Sequence, residues 1–195
     1  MADSRVQEYN RLYGQLNKET REHSLSVALM CEKCAKGLDL DPDMSFKIGY
    51  LHDVGKIFIP SRILKKNMGL TSVERQVVDL HSYFGFRLLE EAGVPRAICV
   101  PVLYHHGFNK PKLSESEDPI TEKLLRYVNL LHSVDVYDAM ARTRVYHKGY
   151  NKDKIFKVLS EDPLCTERIL RELNFVELPD EEMLKEYNLS EEEDL

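Results

Sequence analysis

The sequence predicts an all-α protein that folds as a single domain. Apolar residues recur at helical spacing along most of the chain, as they do in residues 4–17. No segment has the alternating apolar and polar pattern of a half-buried strand. A length of 195 residues is typical of one domain, and 43% hydrophobic residues are enough to form a sizeable core. These observations exclude a globally disordered chain.

Helix boundaries in the first part of the chain follow from stop signals and a cap. After the apolar stripe in residues 4–17, a second helix is predicted from about residue 19 to Gly37, because glycine is common just past a helix end. Asp43 is expected to cap a third helix. Gly55 and Pro60 are expected to close that helix and start a connecting segment.

The clearest helix start lies at Thr71. Thr71 and Glu74 form a capping box, in which the hydroxyl accepts the Glu74 amide and the carboxylate reaches back to the start of the helix. This helix is expected to continue to Gly93. Pro95 suits the first turn of the next helix, and Pro101 should kink or end it. The remaining predictions are a loop at 107–119 and helices at about 120–143, 151–160 and 164–173.

The net charge of −6 is concentrated at the C-terminal end. Between Glu177 and Leu195 there are nine acidic side chains and one lysine, so the rest of the chain is near neutral. We therefore divide the chain into an N-terminal helix at residues 1–18, a domain at residues 19–175 and an acidic tail at residues 176–195. A solvated end is the favoured interpretation of the tail, and an interaction segment is the alternative.

The N-terminal residues and the cysteines favour a cytoplasmic protein. The first residues contain no apolar segment of the kind found in signal peptides, and no apolar run approaches the ~18 residues of a membrane span. Four cysteines at irregular spacing are expected to be reduced thiols. Cys31 and Cys34 lack the second pair that a zinc site requires, so both are expected to be core or surface residues of a helix.

Histidines and aspartates recur within otherwise apolar helical patterns. His52 and Asp53 are adjacent, His105 and His106 are adjacent, and Asp135 lies in the middle of a predicted helix. Burying such groups costs several kcal/mol unless they are paired or bound to a metal. Mixed nitrogen and oxygen ligands suit divalent ions such as Fe, Mn, Co, Ni or Zn. The pattern therefore indicates a metal site inside a helical domain.

The order and spacing of the motifs are similar to those of the HD superfamily of metal-dependent phosphohydrolases, and the chain resembles its HD-GYP branch. The similar elements are Glu19-x-x-x-His23, HDVGK at 52–56, IFIPSRIL at 57–64, Gly69-Leu70-Thr71-x-x-Glu74, His81-x-x-x-Gly85, His105-His106 and VDVYDAMARTRVY at 134–146. They cover roughly residues 19–146. The resemblance implies a single helical bundle of the HD type with a metal site at its centre.

The resemblance also implies a set of site residues and a cofactor. His23, His52, Asp53 and Asp135 resemble the ligands of a first metal, whereas Asp53, His81, His105 and His106 resemble those of a second. Glu19 resembles the ligand of a third metal that some relatives hold. The cofactor is thus expected to be two or three divalent ions, with Fe or Mn favoured over Zn, Ni, Co or Mg. Asp53 and Lys56 are the expected catalytic residues, and Lys56 is the expected contact to substrate phosphate. Arg144 is either a second phosphate contact or part of an ordinary surface ion pair. Asp138 is either a helix-surface residue or a partner of the ligands.

One departure from the HD-GYP branch concerns the substrate. That branch continues its double histidine as HHExxDGxGYP, whereas this chain has Gly107-Phe108-Asn109-Lys110-Pro111 after His106. The favoured function is hydrolysis of a phosphodiester by a metal-bridging hydroxide, with a cyclic dinucleotide such as cyclic di-GMP as the favoured substrate. The alternatives are a nucleotidase of the wider superfamily and a metal-binding but catalytically silent regulatory module. A small-molecule partner is expected rather than a membrane or a long nucleic acid, and the oligomeric state stays open.

Overall fold

The fold is built from helices alone in the part of the chain that the structure, a computed structural model, describes: residues 9–66, 69–107, 120–142 and 149–192. The helices are α1 (Asn10–Tyr13), α2 (Lys18–Gly37), α3 (Pro42–Leu51), a 3-10 segment (Val54–Phe58), α4 (Ser61–Leu64), α5 (Ser72–Asp79), α6 (His81–Glu91), α7 (Arg96–Tyr104), α8 (Glu122–Ala141), α9 (Lys152–Ser160), α10 (Glu167–Asn174) and α11 (Glu181–Glu192). The all-α prediction is confirmed.

Helix α2 is the centre of the bundle. Its N-cap Asn17 accepts a hydrogen bond from the Thr20 amide, so the helix begins at the position that the sequence indicated. Every residue from His23 to Cys31 is buried, which means that this middle part of α2 is covered on all sides. Helices α3 and α8 pack directly against it. The side chains that α2 contributes to the site are therefore held by a rigid core element.

Helix α3 approaches α2 closely because Gly49 has no side chain. A Cβ atom at Gly49 would lie 2.7 Å from the Cα atom of Ala28, closer than any packed side chain tolerates.

The predicted cap of α3 was placed two residues too late. The N-cap is Asp41, whose carboxylate accepts the Met44 amide, and Pro42 occupies the first helical position. Helix α3 ends at Leu51, immediately before His52.

Several predicted helix ends differ from the structure. Helix α1 ends at Tyr13 rather than at residue 17, since the amides that follow it close tight turns. Pro95 is the N-cap of α7 rather than a residue of its first turn, and α7 continues past Pro101 to Tyr104. Most of the predicted loop at 107–119 lies outside the described residues. The other boundaries differ from the predictions by three residues or fewer.

The helix predicted from Thr71 to Gly93 is two helices that meet at Leu80. The capping box at Thr71 is present as expected. Beyond it, the side chain of His81 donates to the Val78 carbonyl, and the side chain of Ser82 donates to the Asp79 carbonyl. In a continuous helix, these two carbonyls would instead accept hydrogen bonds from the backbone amides four residues further along the chain. The side chains thus replace backbone bonds, and the chain turns just before His81.

The segment predicted as an acidic tail is partly structured. Helix α11 forms at Glu181–Glu192, Val176 and Leu184 are buried, and the Tyr187 ring stacks on Phe46 at 6.3 Å. The prediction of a solvated end is therefore wrong for this part of the tail, because its apolar residues complete the core. Likewise, Tyr13 at the N-terminal end stacks on Tyr50 at 4.0 Å, so the predicted N-terminal helix also packs on the domain.

Two further observations concern thiols and membranes. All four cysteines are buried free thiols, and Cys31 and Cys34 lie in the core face of α2, as their spacing indicated. No helix in the described ranges combines the length and the apolar character that crossing a bilayer requires.

Candidate metal centre

Three buried histidines are held in the same way, each at the end of a helix or at a break between helices. The Nδ1 atoms of His52, His81 and His105 lie 2.7, 2.6 and 2.7 Å from the backbone carbonyls of Gly49, Val78 and Val102. In each case the carbonyl belongs to the residue three positions earlier. A carbonyl oxygen only accepts, so Nδ1 carries the proton in all three rings. In the neutral form of each ring, the Nε2 atom is thereby left with a lone pair that can bind a metal.

These Nε2 atoms converge on one buried volume. The Nε2 atoms of His81 and His105 lie 3.3 Å apart, and the Nε2 atom of His52 is buried with no hydrogen-bond partner. Burial lowers the pKa of His81 to about 3 and that of His105 well below its usual range, so both rings are neutral. Two neutral nitrogens that face each other with lone pairs repel one another. A cation between them removes this repulsion, and nitrogens bound to one zinc-sized ion at ~2.1 Å lie about 3.0–3.4 Å apart.

The two carboxylate oxygens of Asp53 face different histidines around this volume. Its Oδ1 atom lies 3.3 Å from the Nε2 atom of His81, and its Oδ2 atom lies 3.5 Å from the Nε2 atom of His52. Asp53 itself is 1% exposed. Burial raises the pKa of this carboxyl, but Lys56 and the surrounding histidines outweigh burial and hold the pKa well below its usual range. A carboxylate with one oxygen near His81 and the other near His52 could bridge two cations.

His23 lies between two buried carboxylates. Its Nε2 atom is 2.9 Å from Asp135 Oδ1, and its Nδ1 atom is 2.7 Å from Asp138 Oδ2. Burial lowers the pKa of His23, but the hydrogen bonds to Asp135 and Asp138 outweigh it and raise the pKa to about 9. Both partners are acceptors, so the ring carries two protons in this arrangement. A cation at Nε2 would replace one proton and be shared with Asp135.

Asp138 keeps the His23 ring in place through a network of its own. Its carboxylate accepts hydrogen bonds from Ser26 Oγ and from Arg142 Nε, the latter at 2.9 and 3.0 Å. Arg142 also donates to the backbone carbonyl of Pro179, in the segment that precedes α11. Asp138 is fully buried, and its contacts resemble the carboxylate–histidine pairs that orient metal ligands. The sequence allowed Asp138 to be either a helix-surface residue or a partner of the ligands, and the surface position is wrong.

The structure brings together most of the predicted ligands in three overlapping groups. These groups are His23, His52 and Asp135; His52, Asp53 and His105; and His81, His105 and His106. In each group the potential ligand atoms lie within 4.8 Å of one another. The donor set therefore fits divalent cations of the kind that imidazole and carboxylate bind.

One predicted ligand, Glu19, does not join these groups. Glu19 is exposed one turn before His23 and lines the groove above the site, so the structure does not place it among the clustered ligand atoms. Arg144 lies outside the described residues. Lys56 does reach the site, because its Nζ atom lies 2.5 Å from Asp53 Oδ2.

Sequence reasoning missed the residues that support the ligands. Ser26 and Arg142 hold Asp138, and His132 donates from Nδ1 to the His105 carbonyl at 2.6 Å while its Nε2 atom contacts Asp162 at 2.9 Å. Spacing offered a signal for two of them. Ser26 follows His23 by three residues and Arg142 follows Asp138 by four, which places each pair on one helical face. The role of His132 depends on a contact between distant segments, for which no local signal exists.

A groove of about 750 Å³ opens next to the centre. His23 and Lys56 form part of its wall, together with the first turn of α2 and residues of α4 and α5. This volume is typical of a small-molecule site. The groove therefore gives a ligand access to the buried residues.

Comparisons with known proteins agree with this geometry. The HD domain family profile matches residues 20–140. The chain is 30% identical over 146 residues to the cyclic di-GMP phosphodiesterase PA4108 of Pseudomonas aeruginosa, which covers 73% of the chain and 35% of that protein. It is 30% identical over 152 residues to the 3'3'-cGAMP-specific phosphodiesterase 2 of Vibrio cholerae, which covers 71% of the chain and 27% of that protein. The chain spans only about a third of the length of such curated relatives.

A solved structure has the same fold. It is the HD domain of the L. monocytogenes phosphodiesterase PgpH in complex with cyclic-di-AMP, which aligns with a TM-score of 0.57 and 18% identity over 90% of both chains. The family match covers more than half of this chain and includes the adjacent His52 and Asp53. The predicted resemblance is confirmed: the chain belongs to the HD domain family.

Proposed function

We propose that this protein is a metal-dependent phosphohydrolase that hydrolyses a cyclic dinucleotide. The proposal rests on the position of Asp53, a buried carboxylate with one oxygen toward His81 and the other toward His52. Such a bridging position is useful where two cations act on one phosphoryl group. The hydrolysis adds water across one P–O bond of the ring and gives a linear dinucleotide.

Relatives support the substrate class. The two curated relatives and the PgpH domain described above are named for, or bound to, cyclic di-GMP, 3'3'-cGAMP and cyclic-di-AMP. All three are cyclic dinucleotides of purine bases, so the class is shared although the bases differ. We propose the class for this chain and leave the choice of base to the assay.

The proposed cofactor is two divalent ions, of which Fe or Mn is favoured. His23, His52 and Asp135 would hold one ion, and His81, His105 and His106 the other, with Asp53 between them. When bound, the ions lower the pKa of a water molecule and withdraw charge from the phosphoryl oxygens. Glu19 is proposed as a ligand of a third ion only if its exposed side chain turns toward the site.

The residues of the chain have distinct proposed roles. His52, His81 and His105 are fixed by their Nδ1 hydrogen bonds, so their Nε2 atoms need no rearrangement before binding. Lys56 is partly exposed at the groove and touches Asp53, where its positive charge stabilises an incoming phosphate and the negative charge that grows on it. Arg144 is proposed as a second phosphate contact.

The test is a substrate panel on the purified protein loaded with Mn²⁺ or Fe²⁺. The panel holds cyclic di-GMP, 3'3'-cGAMP, cyclic di-AMP, bis(p-nitrophenyl) phosphate, GMP and AMP. We expect hydrolysis of at least one cyclic dinucleotide, and a loss of at least about a hundredfold in His52→Ala and Asp53→Ala. Asp43→Asn, at an exposed carboxylate of α3, is the control that should retain activity.

The other outcomes contradict the proposal in different ways. Hydrolysis of GMP or AMP alone would favour a nucleotidase. Metal binding without turnover of any compound would favour a silent binding module. Full activity in both alanine variants would show that the reaction takes place elsewhere.

A further inference from the structure

The groove beside the metal centre has a larger volume and more positively charged side chains than the binding of a single phosphate group requires. Among the residues that the structure describes, four lysines line it (Lys18, Lys56, Lys65 and Lys66), against one acidic residue, Glu19. Its volume of about 750 Å³ is within the range of sites that enclose a whole drug-sized ligand. The groove therefore has room and charge for a ligand that extends well beyond the reacting phosphate.

The lysines differ in whether their charge is already used. Lys56 contacts Asp53, Lys66 contacts Glu74 at 2.6 Å, and Lys18 lies 3.8 Å from Glu22. Among the groove residues that the structure describes, Lys65 has no ion pair. It is exposed at the C-terminal end of α4. Its ammonium group is thus the one most open to an anion from solution.

The neighbouring wall is apolar. Ile63, Leu64, Leu70 and Val78 line the groove next to Lys65 and are only partly buried. Part of this surface is therefore available to a ligand. A ligand with flat apolar rings and a second negative group would contact both kinds of surface.

We propose that the groove around Lys65 is a subsite for the second phosphate and a base of a dinucleotide whose first phosphate lies at Lys56 and the metal centre. This inference rests on the proposed function and narrows it, because it selects substrates with two phosphates over mononucleotides. Lys65 sets specificity by binding charge remote from the reaction. It takes no part in breaking the P–O bond.

The test compares Lys65→Gln with the wild type on cyclic di-GMP, cyclic di-AMP and bis(p-nitrophenyl) phosphate, which has a single phosphate. The ratio of kcat/KM for the cyclic dinucleotide to that for bis(p-nitrophenyl) phosphate should fall about three- to tenfold. The loss should lie in KM and should shrink as salt is added, because an exposed charge is screened. Lys157→Gln, at an exposed lysine of α9, is the matched control and should leave the ratio unchanged.

Binding separates failure of the subsite from failure of the proposed function. Calorimetric titration of cyclic di-GMP into wild type and Lys65→Gln should give the same three- to tenfold weakening. An active enzyme whose ratio and affinity are both unchanged in Lys65→Gln overturns the subsite and leaves the function intact. A wild type that hydrolyses nothing overturns the function, and the titration then decides the subsite alone.

Discussion

Replacement of Asp138 by asparagine tests whether this residue holds a metal ligand. The carboxylate accepts from His23 Nδ1 at 2.7 Å and from Arg142 Nε at 2.9 and 3.0 Å, in a fully buried position. An asparagine can keep one of these contacts, but its amide group then faces a second donor. The loss of one charge-assisted hydrogen bond costs about 1.5–3 kcal/mol.

That cost should appear in metal binding, because Asp138 acts on the site only through His23. We expect Mn²⁺ or Zn²⁺ affinity to fall about 10- to 100-fold, as for other partners of metal-ligating histidines. A competition titration against a chromophoric chelator measures the affinity directly. Asp43→Asn, the same chemical change at an exposed site, is the control.

Arg142→Gln guards against a failure of Asp138→Asn to fold. Arg142 is partly exposed, so its replacement removes the contact to Asp138 without burying a new polar group. We expect a smaller loss of affinity, about three- to tenfold. Unchanged affinity in a folded Asp138→Asn, or an equal loss in Asp43→Asn, would refute the role of Asp138.

Two further predictions follow from close packing and from protonation. Gly55→Ala should destabilise the protein by about 1–3 kcal/mol in urea unfolding, since its Cβ atom would lie 1.9 Å from the His81 carbonyl oxygen. Gly69→Ala is the control and should be neutral, because its Cβ atom would meet no atom of the described residues within 4 Å. Equal unfolding midpoints of the two variants would contradict this. Metal affinity should rise with pH up to about 9, because the ion displaces a proton from His23, whose pKa is raised to about 9. In the metal-free protein the same shift stabilises the fold fully below pH 6.5 and is lost as the pH rises to about 9. A flat affinity profile between pH 6.5 and 9 would contradict the assignment.

The sequence specified the helices well where the signals were local. Caps such as Asn17 and Thr71 use side chains a few residues from the amides they satisfy, so both ends of such contacts are visible in the sequence. The break at Leu80 was not visible. The break depends on a hydrogen bond from the His81 side chain to the Val78 carbonyl. Whether a side chain makes such a bond is decided by the packing around the site.

The site residues divide in the same way, into those with a signal in the local sequence and those whose contacts depend on the tertiary fold. His52, Asp53 and the double histidine were identifiable from motif order, and the structure brings them together. The tether from Arg142 to the Pro179 carbonyl and the contact of His132 with the His105 carbonyl join segments far apart in the chain. Such contacts depend on the tertiary fold. The structured part of the acidic segment was missed because its high charge masked the few apolar residues, such as Leu184, that pack on the core.

Anomalous diffraction from crystals of the protein loaded with Mn²⁺ shows whether the clustered histidines and aspartates form a two-metal centre bridged by Asp53. Such a centre predicts two peaks about 3.5–4 Å apart, one on the side of His23 and His52 and one on the side of His81 and His105, with Asp53 between them. A single peak, or two peaks that Asp53 does not join, would contradict it.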